Sequence, residues 1–149
     1  MNRRSERLKP ARQQAARLER EAAVRLVELR RAVELAKNRL GELQQWEREY
    51  AERLHSGVMR RDDLMDYRLF MQRLADAGEA QRLALLEAEK AFASGRETWL
   101  SLHARHEAIC QVVVRYEEES RRDAARREQY ATDEFAANGI RHRDGRHDR

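Results

Sequence analysis

Residues 64–116 read LMDYRLFMQRLADAGEAQRLALLEAEKAFASGRETWLSLHARHEAICQVVVRY. Within them Leu64, Tyr67, Met71, Leu74, Gly78, Gln81, Leu85, Ala88, Phe92, Gly95, Trp99, Leu102, His106, Ile109, Val113 and Tyr116 follow one another at alternating steps of three and four. Twelve of these sixteen positions are apolar. A repeat of 3.5 residues keeps one seam of a helix turned toward a partner helix, and kept this strictly it imposes a left-handed supercoil. The same register continues through Ser120, Asp123, Arg127, Tyr130 and Glu134. The apolar seam therefore fades after Tyr116.

Upstream lies a second seam: Ala15, Leu18, Ala22, Leu26, Leu29, Val33, Ala36, Leu40, Leu43, Glu47, Tyr50 and Leu54. It slips once, where two steps of four meet at Ala22, and Glu47 is its one charged occupant. Pro10 sits near the start, where an early helical turn tolerates it. Between the seams, HSGVMRRD at residues 55–62 breaks the pattern. Ser56-Gly57 can end one helix, and Asp62 or Asp63 can cap the next.

A single turn near residue 58 pairs antiparallel residues whose numbers sum to about 117. Helix one, starting near residue 5, then runs out opposite about residue 112, close to where the second seam ends. This agreement favours an intramolecular hairpin over a parallel dimer. The expected fold is all-α: an antiparallel two-helix coiled-coil hairpin with an overhanging C-terminal helix. Helix one covers about 5–55, the turn about 56–62 and helix two about 62–137. Residues 1–140 form one elongated domain, and 141–149 form a disordered tail. The overhang carries Tyr116, Tyr130 and Phe135, and Gly95 faces Ala22.

Composition agrees. Of 149 residues, 39% are charged, only six are Gly and one is Pro, and mean hydropathy is −0.98. Strands joined by turns need more turn residues, and so much charge does not fit inside a thick core. Charge is uneven: residues 1–40 hold twelve Lys/Arg against five Glu, and residues 41–140 hold fifteen against twenty acids. A basic end suits an acidic protein surface, nucleic acid or anionic lipid. The basic residues are interleaved with Glu, with no unbroken basic run, so nucleic acid is not expected as a partner.

One cysteine, Cys110, excludes an internal disulfide and fits a reducing cytosol. No apolar run approaches the length of a membrane span, and the N-terminus lacks a secretory apolar core. His103, His106, Glu107 and Cys110 share one helix face, but the facing stretch 7–15 offers no further ligand, so no metal is expected. No phosphate loop or nucleophile elbow occurs, and a hairpin offers no enclosing pocket. Neither an enzyme nor a cofactor is expected.

The aromatic residues are more specific. Trp46 and Tyr50 precede the turn; Tyr67 and Phe70 follow it. Tyr50 and Tyr67 belong to the seams, whereas Trp46 and Phe70 sit one position beside them. Edge aromatics next to Leu43 and Leu74 make a half-exposed apolar patch, as partner sites do.

Leu29-Arg30-Arg31, Leu43-x-x-Trp46-x-x-x-Tyr50, Tyr67-x-x-Phe70-x-x-x-Leu74-x-x-Ala77 and Asp133-Glu134-Phe135-Ala136, in that order, resemble the flagellar export protein family FliJ over roughly residues 20–137. The resemblance implies an antiparallel coiled coil similar to the stalk of the rotary ATPase γ subunit. It implies docking in the hexameric flagellar export ATPase, promotion of that ring's assembly, contact with the cytoplasmic domain of the membrane export gate, and hand-over of flagellar substrate chaperones. It places the protein in the cytoplasm, peripheral to the cell membrane at the flagellar base. The family's gate-contacting patch falls on Leu43, Trp46, Tyr50, Phe70, Leu74 and Ala77. Arg39 and Gln81 extend it, where some members carry Gln and His. The ATPase contact is assigned to Tyr116, Tyr130, Asp133, Glu134 and Phe135. A virulence-system stalk of the same architecture and a homodimeric coiled-coil scaffold stand as alternatives.

Overall fold

The computed structural model describes residues 3–57 and 60–144. Two helices make up the fold, α1 (Arg3–Ser56) and α2 (Arg61–Asp144), and they pack antiparallel as a hairpin. Among the described residues the close contacts fall into two units, one within 18–102 and the other of 3–17 with 103–144.

At the turn side, α1 ends at Ser56, whose hydroxyl donates to the Arg53 carbonyl at 3.2 Å. Arg53 and His55 lie in that last turn, where positive charge offsets the helix dipole. No described glycine has a positive φ, so Gly57 does not end α1 by a left-handed cap. The start of α2 differs from the sequence expectation. The first bond is accepted by the Arg60 carbonyl, from Leu64 N–H at 2.9 Å, and Asp62 and Asp63 lie inside the first turn rather than at the cap. Their charge acts there on the dipole.

In the unit of residues 18–102 the register is visible in two side-chain bonds. The Tyr67 hydroxyl donates to the Tyr50 carbonyl at 3.0 Å, and the Gln81 amide donates to the Ala36 carbonyl at 3.3 Å. The residue numbers sum to 117 in both pairs. The seam residues Val33, Ala36 and Leu74 are buried; Gly78 is buried too, and a Cβ there would reach ordinary contact with Glu47 Oε1 at 3.6 Å. A residue without a side chain thus stands beside the one carboxylate in the seam. Leu54, expected in the seam, is exposed: it lies in the last turn of α1, where α2 has barely begun.

Gly95 and Ala22 border one groove, with Leu29 beside them. The atoms nearest to a Cβ built at Gly95 belong to Leu29 and Leu26, and it would overlap Leu29 Cδ1. Side chains lean toward the N-terminus of their own helix. In an antiparallel pair the two leans are opposed in space, so side chains meet at sums above the backbone value. Leu29 leans into the gap that Gly95 leaves open.

The second unit pairs the start of α1 with residues 103 onward. Ala15 and Val113 are buried, and the Arg4 guanidinium lies over the Tyr116 ring, 5.7 Å from its centroid. Tyr116 is therefore half-buried under α1 and not part of the overhang. The helix begins at Arg3, and its first residues reach the level of Ser120. Pro10 lies inside α1, where its ring withholds the N–H that the Glu6 carbonyl would accept. Both residues are exposed, so water can serve that carbonyl.

From Arg121 to Arg143 every side chain is exposed. The helix nevertheless continues to Asp144, beyond the expected end at 137 and into the stretch expected to be disordered. Ala, Arg, Glu and Gln dominate 121–137, and these residues favour a helix without tertiary support. Residues 145–149 of the expected tail lie outside the described residues.

Candidate functional site

The aromatic edge lies in the unit of residues 18–102. The rings of Tyr50 and Phe70 meet with centroids 4.6 Å apart and planes tilted by 53°. The Arg53 guanidinium covers the Tyr50 ring at 5.1 Å from the centroid. With the bond from Tyr67 to the Tyr50 carbonyl, this locks Tyr50 between both helices. Such pairs contribute about 0.5–1.5 kcal/mol beyond the area they bury.

The Tyr50–Phe70 pair has numbers summing to 120. In an antiparallel register the same level relation links Trp46 with Leu74, Leu43 with Ala77, and Arg39 with Gln81. By that relation the eight positions fall on four levels, or rungs, of which Tyr50 with Phe70 is in ring contact.

The rungs are not equally exposed. Leu74 is buried, and Leu43, Tyr50 and Gln81 are half-buried, Gln81 with its amide tied to Ala36. Arg39, Trp46, Phe70 and Ala77 are exposed, Trp46 to 49% and Phe70 to 40%. Each rung below Phe70 sets one seam residue against one surface residue. The seam members hold the backbone, and the surface members offer the contact. Among the described residues Trp46 joins no ring contact and no hydrogen bond. Its indole N–H is left without a protein partner and about half of its surface is exposed, which suits an aromatic anchor at a protein interface.

The residues assigned to the other contact divide as well. Tyr130 is 75% exposed and Phe135 83%, and Asp133 and Glu134 are exposed. Tyr116 stands apart from them, beneath Arg4. Tyr130, Asp133 and Glu134 share a face by their spacing of three and four. Phe135, five residues from Tyr130, lies about 140° around the helix from it. Aromatic side chains on two sides of an unpaired helix suit a partner that wraps around it better than a flat surface.

His103 Nε2 lies 3.6 Å from Glu107 Oε1 one turn along α2. Among the described residues, no group of three or more His, Cys, Asp or Glu side chains is placed to hold a metal ion. No described helix is long and apolar enough to cross a membrane.

Sequence reasoning passed over a second apolar face. Val24, Val27 and Leu35 are half to two-thirds exposed on the outer side of α1. The signal was present as apolar residues outside the seam register, on a helix otherwise charged there.

A family model described as Flagellar FliJ protein matches residues 4–145. No match was found among curated proteins or among solved structures.

Proposed function

The chain belongs to the flagellar FliJ family, a component of flagellar type III protein export, and we propose that it works there as a stalk-like adaptor. The bare end of α2 enters the hexameric export ATPase and promotes ring assembly. The aromatic edge engages the cytoplasmic domain of the export gate and brings the protein to the inner face of the membrane. Substrate chaperones are handed over between these contacts. The chain acts by binding and performs no chemistry of its own.

The observation that supports this reading best is the exposure of Trp46 and Phe70 on rungs whose other members are held in the seam. Half-buried Tyr50 and buried Leu74 fix the positions of two large, half-exposed rings before any partner arrives. Preorganised aromatic anchors lose little entropy on binding and dominate interface energetics. The bare helix 121–143 supports the second contact, because its aromatic residues point to two sides.

Replacing Trp46 and Phe70 together by Ala should weaken gate-domain binding at least about tenfold and reduce motility, with helicity and ATPase binding unchanged. Full gate binding by this variant with intact helicity would remove the gate assignment. Truncation after Ser120 should weaken ATPase binding and leave gate binding intact. Loss of gate binding alone on truncation would reverse the two assignments.

A further inference from the structure

The outer face of α1 carries a surface that neither contact uses. Val24, Val27, Arg31, Leu35 and Asn38 follow one another at steps of three, four, four and three, so they line one side of the helix. Val24 is 61% exposed, and Val27 and Leu35 are each 51% exposed. Val27 and Leu35 border a shallow groove along α1 together with Arg30, Arg31, Glu34 and Asn38. A few scattered apolar side chains on a surface need no explanation. Three on one stripe, two of them flanking a groove, form a patch.

The charge around the patch selects its partner. Between residues 20 and 39 there are six cations and three carboxylates. Arg25 is paired with Glu28 at 3.3 Å, but among the described residues Arg30 and Arg31 have neither an ion pair nor a hydrogen bond. Arg31 lies on the stripe itself, between Val27 and Leu35, and Arg30 at its edge; Glu34 in the same groove is unpaired too, which leaves two guanidinium groups against one carboxylate and complements an apolar stripe with carboxylates beside it. We propose that this face docks an amphipathic helix of another protein, apolar along one stripe and acidic at its edges. Its apolar residues would sit between Val24, Val27 and Leu35, and its carboxylates would meet Arg30 and Arg31.

A second copy of the chain is the competing occupant. The outer face of α2 shows Leu83 and Leu86, and residues 76–97 hold five carboxylates against three cations. That contact would join unlike faces. Each copy would keep one free face, and the assembly would grow without closing. A separate acidic helix leaves nothing unsatisfied.

The proposal can be tested with the full chain and two labelled synthetic helical peptides. Both carry Leu at i, i+3, i+4 and i+7; one is flanked by Glu and the other by Lys. Anisotropy titration should show binding of the Glu peptide, weakening with added salt, and no binding of the Lys peptide. Leu35→Asp and the double variant Arg30→Glu/Arg31→Glu should each weaken Glu-peptide binding about tenfold or more. All three positions are exposed, so unchanged circular dichroism should accompany the loss. Equal binding of both peptides, or of the Glu peptide by wild type and variants, would overturn the proposal. So would a concentration-dependent rise in mass that disappears in both Leu35→Asp and Leu83→Asp, which would seat a second copy on this face.

Discussion

Residues 64–120 and 121–143 of α2 are one continuous helix with two kinds of support. In the first stretch every seam position from Leu64 to Tyr116 is buried or half-buried. In the second no side chain is buried at all. Both are rich in charge and in good helix formers, so local propensity does not separate them. The difference lies in packing, which is the main source of helix stability in proteins. One stretch holds rings in place, and the other leaves them for a partner to order.

The largest expected contrast comes from placing a carboxylate in each stretch. Val113 is 4% exposed. Val113→Asp should lower stability by about 3 kcal/mol or more, because the seam gives an Asp no partner there. Ala131→Asp, on the bare stretch, should stay within about 0.5 kcal/mol. Urea unfolding followed by circular dichroism measures both. Similar losses from the two variants would mean that the bare stretch is packed in solution.

Glycine gives a smaller contrast. Adding a methyl at Gly139 meets nothing within 4 Å. Gly139→Ala should therefore gain about 0.5–1 kcal/mol of local helix stability, visible as increased helicity of the C-terminal end. At Gly95 the same propensity gain is opposed by overlap with Leu29. The overlapping atom is the tip of the half-buried Leu29 side chain at the edge of an open groove, so Leu29 can give way at a cost of about 0.5–1 kcal/mol and Gly95→Ala should leave stability within about 0.5 kcal/mol. A loss of about 1–3 kcal/mol in Gly95→Ala would show that Leu29 is held in place.

This contrast also marks what the sequence could reveal. The seam of α2 was legible throughout, because a strict 3.5 repeat leaves a helix one side to bury. The antiparallel hairpin followed from where the two seams end. That Leu29 reaches Gly95 alongside Ala22 was not legible, since residue numbers track backbone levels and side chains lean away from them. Tyr116 was misread as overhang for the same reason: backbone levels run out near residue 112, whereas Arg4 meets Tyr116 at a sum of 120. The end of α2 was placed too early because a helix without a seam has no pattern that stops. At the aromatic edge, the sequence marked Trp46 and Phe70 as surface and Tyr50 as core. It did not show that Arg53 covers Tyr50 or that the Tyr67 hydroxyl bridges the helices, because both depend on atoms at the ends of side chains.

The smallest contrast removes a single oxygen from each stretch. The Tyr67 hydroxyl donates to the Tyr50 carbonyl across the hairpin. That carbonyl belongs to α1 and can still accept its intrahelical bond, so Tyr67→Phe leaves no acceptor wholly unsatisfied. The loss should be about 0.5–1 kcal/mol, at the low end for a cross-helix hydrogen bond. Tyr130 is 75% exposed, and its hydroxyl can bond to water in any state, so Tyr130→Phe should leave stability unchanged. A double variant should show the two effects simply adding, because the residues share no contact. If Tyr67→Phe costs nothing, the bond is too weak to fix Tyr50. Position-holding at the aromatic edge would then fall to the Tyr50–Phe70 ring contact and to Leu74 beneath it.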